Sequence, residues 1–451
     1  MKSSDLVNRF YKMEVDCNLF EIKDDYGICV WDIIRYKVFA AIQWETKKNN
    51  RTTPKKQRRR YINAINSLLS SLYVILFVKR KYYFFLVSRN RYELSDSFFD
   101  QNAYDTLSLF DKKECLLNEN YDVDNRLVYD GYPLFRNSSV LVSFFKKNQD
   151  EYNFSSIIRI IKEYFPNFDL DFGSLNKEYK RFWEEYRYYR FLFKRTKTEI
   201  VFITQSGLRK GLFYAAKSLK IPTIEFNHGI VFNGHMSYSY PQGINCTNYN
   251  ADIIFSLSNF WFKDMYLPNT KVVPVGNSYF YPRIDERPSV VDVHSLLVIS
   301  ANLTGEQLKD FLIESMLCDN TLKSIKIFFK LHPNQFNELE KYQSYFKDYE
   351  NVMVVTNQHS VPEYMKICAA MLTIQSTAAY EALQLGRKVI IYKGDGYEVM
   401  KVIIGSPNTF FVNTPQGLIN AVNEKLIPCE YEYFEKYNST MARKVIQAVT
   451  K

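Results

Sequence analysis

Short apolar runs alternate with amphipathic segments through the second half of the chain. From Glu199 onward, runs rich in Val and Ile such as "EIVFITQSG" and "IPTIEFNHG" are separated by helical patterns such as "LRKGLFYAAKSLK". Continuous apolar strands that alternate with helices indicate parallel βαβ units, in which the sheet is covered on both faces. The predicted strands of this part are 199–207, 221–229, 252–258 and 271–277, and residues 259–267 are predicted as a helix.

A break in this alternation divides the chain. Residues 281–293, "YPRIDERPSVVDV", carry two prolines and several charges, which predicts a linker. Two doubly wound units joined by a linker predict an α/β fold class. The strands then resume at 295–302, 324–333, 351–357, 370–376 and 387–396. The predicted domains are 1–280, with a basic and apolar insertion near 47–80, then 294–430, and a closing helix at 431–451.

Charge and cysteine usage narrow the class of protein. The net charge of +10 favours anionic partners without choosing among nucleic acid, anionic lipid and phosphorylated substrates. The seven cysteines include no CxxC pair, so they indicate neither a disulfide framework nor a zinc site and favour a cytoplasmic location. No signal peptide and no apolar run of membrane-spanning length is apparent, so the chain is predicted to be neither exported nor transmembrane.

The most basic passage, 47–61, precedes an apolar stretch at 68–78 that is too short to span a bilayer. The region Lys47–Lys81 could lie on an anionic leaflet, peripheral to the inner face of the cell membrane. The alternative is a solvated basic loop that leads into a buried helix. No recognition motif accompanies the basic run, so nucleic acid is not an expected partner. A non-enzymatic protein that binds nucleic acid or membrane remains the alternative of another class.

Ligands of open α/β sheets bind beyond the carboxyl ends of the strands, where the second unit places several polar residues. In "QSTAAYEALQLG", Ser376 or Thr377 can cap a helix whose free N–H groups and dipole favour a phosphate. Glu381, one turn later, could accept hydrogen bonds from a ribose diol. In "KLHPNQ", Lys330 and His332 can donate to phosphate oxygens. The first strand of this unit is followed by Ser300 and Asn302.

Two motifs give the chain a resemblance to a known family. His332-Pro333 followed by Ser376-Thr377 is similar to the HP and Ser/Thr motifs of bacterial sialyltransferases, polysialyltransferases and CDP-glycerol glycerophosphotransferases. "FNHG" followed by "HMSYSYP" is similar to the "QHG" region of capsule and O-antigen transferases, with Asn227 in place of glutamine. Over roughly Glu199–Gly396, the chain therefore resembles GT-B glycosyltransferases that assemble bacterial surface polysaccharides.

The resemblance implies a GT-B fold, in which two Rossmann-like domains face each other across a cleft. It implies a first domain for the glycan acceptor, with His228 as the general base and His235, Asn227 and Gly229 near the acceptor. Glu225 would be a reserve base or would orient His228, and a structural His–Gly turn is the alternative for His228.

The same resemblance implies a transferase that moves a sugar from a nucleotide-activated donor to an acceptor carried on a membrane lipid, without a cofactor. The second domain would bind the donor's phosphates through Lys330, His332, Ser376 and Thr377. A CMP-sialic acid or other CMP-sugar transferase and a CDP-glycerol-type polyol-phosphate transferase remain alternatives on the same fold.

A catalytic metal is not predicted. The DxD spacings at 122–124 and 169–171 match a metal motif of another glycosyltransferase fold, but neither follows a confident strand of a donor domain. With 49 acidic residues in the chain, such spacings arise by chance.

Overall fold

The chain forms two compact units in the computed structural model. The first comprises Met1–Leu257, Phe262–Val275 and Tyr437–Lys451, and the second comprises Ser258–Trp261 and Gly276–Lys436. The described residues are 3–45, 58–78, 81–87, 91–94, 97–119, 132, 134–136, 139–147, 151–167, 172–204, 209–245, 249–281, 292–301 and 304–450.

A seven-stranded parallel sheet organises the first unit. The strands of this part of the chain are β1 (Tyr83–Val87), β2 (Arg91–Leu94), β3 (Ser97–Asp100), β4 (Cys115–Glu119), β5 (Leu134–Arg136), β6 (Ile200–Thr204), β7 (Thr223–Phe226), β8 (Ile253–Ser256) and β9 (Lys271–Pro274). Of these, β2 and β3 form a separate antiparallel pair, and the other seven form the parallel sheet. The order in the sheet is β5-β4-β1-β6-β7-β8-β9, so the direction of winding reverses between β1 and β6.

Helices cover both faces of this sheet, which explains the continuous apolar runs. Along β6, Val201 and Ile203 pack into one core cluster, whereas Ile200 and Phe202 pack into another on the opposite face. The helices of this part of the chain are α1 (Ser3–Asp16), α2 (Val30–Glu45), α3 (Arg58–Phe77), α4 (Tyr104–Leu107), α5 (Ser139–Ser143), α6 (Ser155–Tyr164), α7 (Phe172–Thr196) and α8 (Lys210–Ser218), with 3-10 turns at Leu19–Glu21 and Lys112–Glu114.

The first residues of the chain form a helical layer with its own core. Phe10 of α1 lies 5.8 Å from Trp31 of α2 between ring centroids, and both belong to a buried cluster with Ile157 of α6 and Tyr179 of α7. The small residue Gly211 lets α8 approach α7 closely, because a Cβ there would collide with the Phe182 carbonyl oxygen. The sequence analysis left this layer without a role.

A six-stranded parallel sheet organises the second unit. The order is β12-β11-β10-β13-β14-β15, so the winding reverses between β10 and β13, where ligands of such sheets bind. The elements of this unit are β10 (Asp292–Ile299), α9 (Gly305–Cys318), β11 (Lys326–Lys330), α10 (Leu339–Tyr345), β12 (Val352–Val355), α11 (Val361–Ile367), β13 (Cys368–Thr373), α12 (Ala378–Gln384), β14 (Lys388–Tyr392), β15 (Thr409–Val412) and α13 (Pro415–Asn423), with 3-10 turns at Asn320–Lys323, Pro333–Glu338 and Tyr397–Ile403.

The last helix, α14 (Ser439–Val449), belongs to the first unit. The Asn438 side chain caps it by accepting a hydrogen bond of 2.9 Å from the Met441 N–H. Ala442 and Ile446 of α14 pack into the core cluster that also holds strand residues of the seven-stranded sheet. The chain therefore ends on the unit in which it begins.

The structure confirms the predicted fold class, α/β with two Rossmann-like units, and corrects one predicted helix. The helix predicted at 259–267 does not form, because residues 259–264 adopt turns. The Trp261 indole N–H and the Ser258 hydroxyl both donate to the Tyr433 carbonyl oxygen, at 2.6 and 2.9 Å. Of this segment, only Ser258–Trp261 belongs to the second unit, and the chain then continues in the first unit. Four residues are too few to contain the helix predicted at 259–267.

Several sequence expectations fall outside the described residues. They are most of the linker at 281–293, residues 46–57 and 79–80 of the basic insertion, Asn302, and both DxD spacings. Among the residues that are described, none of the helices has the length and apolar character needed to cross a membrane.

Candidate functional site

The first group of candidate residues follows β7 at the carboxyl edge of the seven-stranded sheet. The Asn227 N–H continues the ladder by donating to the Phe255 carbonyl oxygen at 3.0 Å. The Asn227 side-chain oxygen then accepts from the Gly229 N–H at 3.3 Å, which closes a tight turn around His228. The turn thus fixes the position at which the imidazole leaves the strand.

A buried carboxylate lies beneath this turn. Glu225 of β7 is almost fully buried, and its Oε1 accepts a hydrogen bond from the Tyr238 hydroxyl. The Tyr238 ring in turn contacts His235, with 4.9 Å between ring centroids, and lies 6.3 Å from the His228 ring. Glu225 is therefore linked to both imidazoles through the Tyr238 ring, which contacts each of them.

Both imidazoles are neutral at physiological pH. Burial, and to a smaller extent the neighbouring His235, lowers the pKa of His228 to about 4. Burial also lowers the pKa of His235 to about 4. A neutral imidazole has one ring nitrogen that can accept a proton and one N–H group that can donate a hydrogen bond, whereas the protonated ring can only donate.

Four buried polar atoms at this edge have no hydrogen-bond partner among the residues that the structure describes: Thr204 Oγ1, Asn227 Nδ2, His228 Nδ1 and His235 Nδ1. Thr204 ends β6, and its Cα pairs with that of Phe226 in β7, so these atoms belong to adjacent strands and to the loop that follows. Unpartnered buried polar atoms are rare in proteins, since each carries a desolvation cost. Four of the atoms of this kind in the described part of the chain are found at this one edge.

The loop that carries His235 is anchored to the helical layer. Arg35 of α2 donates to the Met236 carbonyl oxygen at 2.5 Å and forms a bidentate ion pair with Glu14 of α1, at 2.5 and 3.0 Å. The Tyr11 hydroxyl donates to Ser239 Oγ at 2.5 Å. The sequence analysis missed these residues, and nothing in their local patterns distinguishes them from ordinary helix residues.

A second buried network holds the far end of the same loop. The Lys210 ammonium group of α8 donates to Asn250 Oδ1 at 2.9 Å and to the Tyr240 hydroxyl at 3.1 Å, and pairs with Asp32 at 3.3 Å. Burial, followed by the charge of Asp32, raises the pKa of Tyr240 to about 12. Tyr240 therefore stays protonated and serves as a structural anchor.

In the second unit, the candidates after β10 and β11 form one hydrogen-bonded frame. The Ser300 hydroxyl donates to Gln335 Oε1 at 2.7 Å, and this oxygen also accepts from the His332 N–H at 3.2 Å. The Gln335 amide then donates to the Tyr342 hydroxyl at 3.0 Å. The start of α9 presses against this frame, because a Cβ at Gly305 would clash with the Ser300, Gln335 and Tyr342 side chains.

Lys330 and His332 are both engaged in local structure. The Lys330 ammonium group donates to the carbonyl oxygens of Thr356 and His359, the latter at 2.8 Å, and burial lowers its pKa. His332 Nδ1 accepts from the Asn334 N–H at 3.2 Å, so the neutral ring carries its proton on Nε2, and burial lowers the pKa of this imidazole. The Nε2–H group of His332 is thereby assigned as a donor.

The Ser/Thr motif follows β13. Ser376 Oγ accepts from the Ala378 N–H at 3.2 Å, and the Ser376 carbonyl oxygen accepts from the Ala379 N–H at 3.1 Å. Thr377 makes no side-chain cap at the start of α12, and Glu381 on the first turn is half-buried. Ser376 and Thr377 were both predicted as possible caps of this helix, and the Ser376 hydroxyl is the one that accepts a hydrogen bond from a backbone N–H of its first turn.

The parallel sheet brings these candidates to one edge. His332 follows β11 and Ser376 follows β13, with only β10 between them, so about 10 Å of sheet separates the two strand ends. Gln307 of α9 extends the edge by donating to Asp395 Oδ2 at 2.7 Å and accepting from the Asp395 N–H at 3.0 Å. The sequence analysis did not identify Gln307.

Metal ligands do not assemble within the part of the chain that the structure describes. No three His, Cys, Asp or Glu side chains there are grouped so that they could hold a metal ion.

Comparisons with known proteins give only distant similarity. No protein-family model and no curated protein matches the chain. Among solved structures, UDP-GlcNAc 2-epimerase from Methanocaldococcus jannaschii, in complex with UDP-GlcNAc and UDP, covers 82% of this chain and 99% of its own, at 14% identity and a TM-score of 0.46. MurG from Acinetobacter baumannii covers 75% of this chain and 89% of its own, at 13% identity and a TM-score of 0.42.

A third solved structure, HepE from Anabaena in complex with UDP and glucose, covers 76% of this chain and 89% of its own, at 13% identity and a TM-score of 0.42. At these identities, the similarity extends no further than the general α/β fold.

Proposed function

We propose that the chain is a GT-B glycosyltransferase that moves a sugar from a nucleotide-activated donor to an acceptor hydroxyl. The observation that carries the proposal is the group of unpartnered buried polar atoms around His228 at the carboxyl edge of β6 and β7. This is the edge at which open α/β sheets bind ligands. The acceptor would be a glycan of a surface polysaccharide, a capsule or O-antigen chain.

His228 is proposed as the general base. Its ring is neutral because burial lowers its pKa, and its Nδ1 has no partner that an acceptor hydroxyl would have to displace. A hydroxyl within about 3 Å of Nδ1 could transfer its proton as the bond to the sugar forms. Asn227 Nδ2 and Thr204 Oγ1 would hold neighbouring hydroxyls of the acceptor.

Glu225 and His235 are proposed as supports for this base. The Glu225 carboxylate already accepts from Tyr238, which packs against both imidazoles, so its role would be to position them. His235 would bind the acceptor through its own unpartnered Nδ1. Gly229 contributes only its backbone N–H to the turn.

Donor binding is proposed for the edge of the six-stranded sheet. His332 Nε2–H, the Ser300 and Thr377 hydroxyls and the backbone near Ser376 would donate to the phosphates, and Glu381 would accept from the ribose. Lys330 would hold the surrounding loops through its two carbonyl contacts while adding positive charge. Fixed donors of this kind can stabilise a departing nucleotide without a metal.

Sugar transfer by three variants tests the assignment. His228→Ala, His332→Ala and Glu381→Ala should each lose most activity, whereas His294→Ala, a change at an exposed histidine, serves as the matched control and should retain it. Near wild-type rates in all three test variants would end the proposal.

The class of donor can be found separately. Thermal unfolding with UDP-, GDP-, CMP- and CDP-linked donors identifies the donor, because a ligand that binds only the folded state raises the midpoint. Stabilisation by CMP-sugars would favour a sialyltransferase-like enzyme, and stabilisation by CDP-glycerol would favour a polyol-phosphate transferase. A protein that no nucleotide stabilises would instead be a non-enzymatic one.

The reaction is proposed for the cytoplasmic face of the cell membrane, with the acceptor on a lipid carrier. Support for this placement comes from the basic and apolar character of the region Lys47–Lys81.

A further inference from the structure

The outer face of α3 exposes large apolar side chains. Leu69, Tyr73, Leu76 and Phe77 are each between 58% and 68% exposed. Their spacing of four, seven and eight residues places them on one side of the helix. The opposite side is buried, with Ser71 and Val74 packed inward. The helix is therefore already packed on one face while it offers a second apolar face to solvent.

Two neighbouring helices add to this surface. Arg195 of α7 donates to the carbonyl oxygens of Ile75 and Leu76 at 3.0 Å, so α7 holds the carboxyl end of α3. The rings of Phe145, in the turn after α5, and Phe191 of α7 lie 5.7 Å apart between centroids. Exposed apolar side chains also occur in this turn and on α7, at Phe144 and Phe191.

The segments that carry these six residues contain no acidic residue. Within 46–92, 131–149 and 186–198, the sequence has 21 Lys and Arg and no Asp or Glu. The remaining residues have 38 Lys and Arg against 49 Asp and Glu, so the three segments account for the positive charge of the whole chain. Of the cations with described side chains, Lys146, Lys147 and Lys194 are exposed next to Phe144 and Phe191 in sequence.

We propose that α3, with the exposed side chains of Phe144 after α5 and Phe191 of α7, is a docking surface for an anionic lipid bilayer. Exposed apolar residues beside cations match a bilayer, whose headgroups attract the cations and whose acyl boundary accepts the apolar side chains. Nucleic acid would use the cations but would leave the four apolar residues of α3 in water. No described helix is able to cross a membrane, so the helix lies on the surface.

The docking surface is independent of the chemistry proposed for His228. Because α3, α5 and α7 contain none of the candidate site residues, loss of binding to lipid and loss of sugar transfer can be measured separately. If the protein binds vesicles but transfers no sugar, the docking surface stands and the proposed function fails. If it transfers sugar but binds no vesicles, the proposed function stands and the docking surface fails.

Vesicle flotation with the full chain tests the surface. The probes are vesicles of phosphatidylcholine mixed with phosphatidylglycerol, vesicles of phosphatidylcholine alone, and duplex DNA. The double change Leu76→Ser with Phe77→Ser should weaken partition onto the anionic vesicles at least about tenfold, since two large apolar side chains no longer enter the interface. The matched control, Leu317→Ser with Ile404→Ser, removes two comparably exposed side chains from the second unit and should bind as the wild type does.

Charge is tested by Lys146→Gln with Lys194→Gln, which should weaken binding to anionic vesicles at low salt and change little at high salt. Thermal unfolding verifies that each variant is folded. The inference is overturned if the wild type binds both vesicle types equally, if the Leu76 and Phe77 variant partitions as the wild type does, or if the protein binds duplex DNA and no vesicle.

Discussion

The two sheets end in polar edges that differ in how their side chains are satisfied. At the edge of the first sheet, four buried polar atoms around His228 have no hydrogen-bond partner among the described residues. At the edge of the second sheet, Ser300, Gln335 and Tyr342 hydrogen-bond to one another, and Lys330 is held by two carbonyl oxygens. One buried atom there, Thr304 Oγ1 at the start of α9, has no partner in the described part of the chain.

The difference separates two kinds of preorganisation. Polar atoms without partners carry a desolvation cost that a ligand can relieve, so the first edge gains free energy when a polar group enters. Side chains that already hydrogen-bond to one another gain less free energy when a ligand binds, but they hold their donors in fixed positions. Fixed donors are what the departure of a charged leaving group requires. On this ground we propose proton transfer for the first edge and binding of an anion for the second.

The largest effect is expected at the first edge. His228→Ala should lower kcat by roughly 10²–10⁴, the usual contribution of a general base. His235→Ala should lower it less and should raise KM, because this residue is proposed to bind the acceptor. Steady-state kinetics of both variants measure the difference, and equal losses would remove the distinction between base and binding residue.

The ion pair that anchors the first edge should dominate stability. Arg35→Met leaves the Glu14 carboxyl group buried without its counter-charge, which should lower the free energy of unfolding by about 3–5 kcal/mol. Adding Glu14→Leu should recover most of this loss, because no unpaired charge then remains. Chemical denaturation of the single and double variants measures both effects.

An exposed ion pair of the same unit provides the control. Lys180 pairs with Glu151 at the surface, so Lys180→Met should cost less than about 1 kcal/mol. A cost for Arg35→Met as small as that for Lys180→Met would show that the buried pair does not anchor the loop.

Acid should destabilise the protein through His228 and His235. Their pKa values of about 4 in the folded state lie below the unfolded value near 6.5, so the unfolded chain binds protons that the folded chain does not. The free energy of unfolding should therefore fall as pH drops from about 6.5 to 4, by up to about 1.4 kcal/mol per pH unit for each histidine. His235→Gln should reduce this slope, and an unchanged slope would contradict the assignment.

The smallest effect is expected at the second edge. Ser300→Ala removes one donor to Gln335, whose oxygen keeps the His332 N–H, so the cost should be about 1 kcal/mol. Ser324→Ala, at an exposed hydroxyl, is the control and should cost less. A loss at Ser300 as large as that at Arg35 would mean that the two edges do not differ as described.

The parts of the fold that the sequence predicts are those in which pattern and packing agree. Buried parallel strands such as β6 and β13 are continuous apolar runs, so they can be recognised without a structure. The strand β15 escaped prediction because its side chains are only partly buried and its apolar run is short. The turns at 259–264 escaped because the contact that prevents a helix comes from Tyr433, far along the chain.

Candidate site residues could be predicted only where they belong to a short sequence motif. His228, His332 and Ser376 follow strands in recognisable turns, and the structure places each at a carboxyl edge. Arg35 and Glu14 are more than 200 residues from the loop that they support, so only the fold reveals their role.

The dependence of kcat/KM on pH tests the central claim most directly, because it reports the pKa of the essential base in the free enzyme. If neutral His228 is that base, the rate should stay level from pH 8 to 5 and fall to half near the His228 pKa of about 4, with the folded fraction monitored in parallel. A half-loss near pH 6.5, the value of an ordinary solvent-exposed histidine, would contradict the claim.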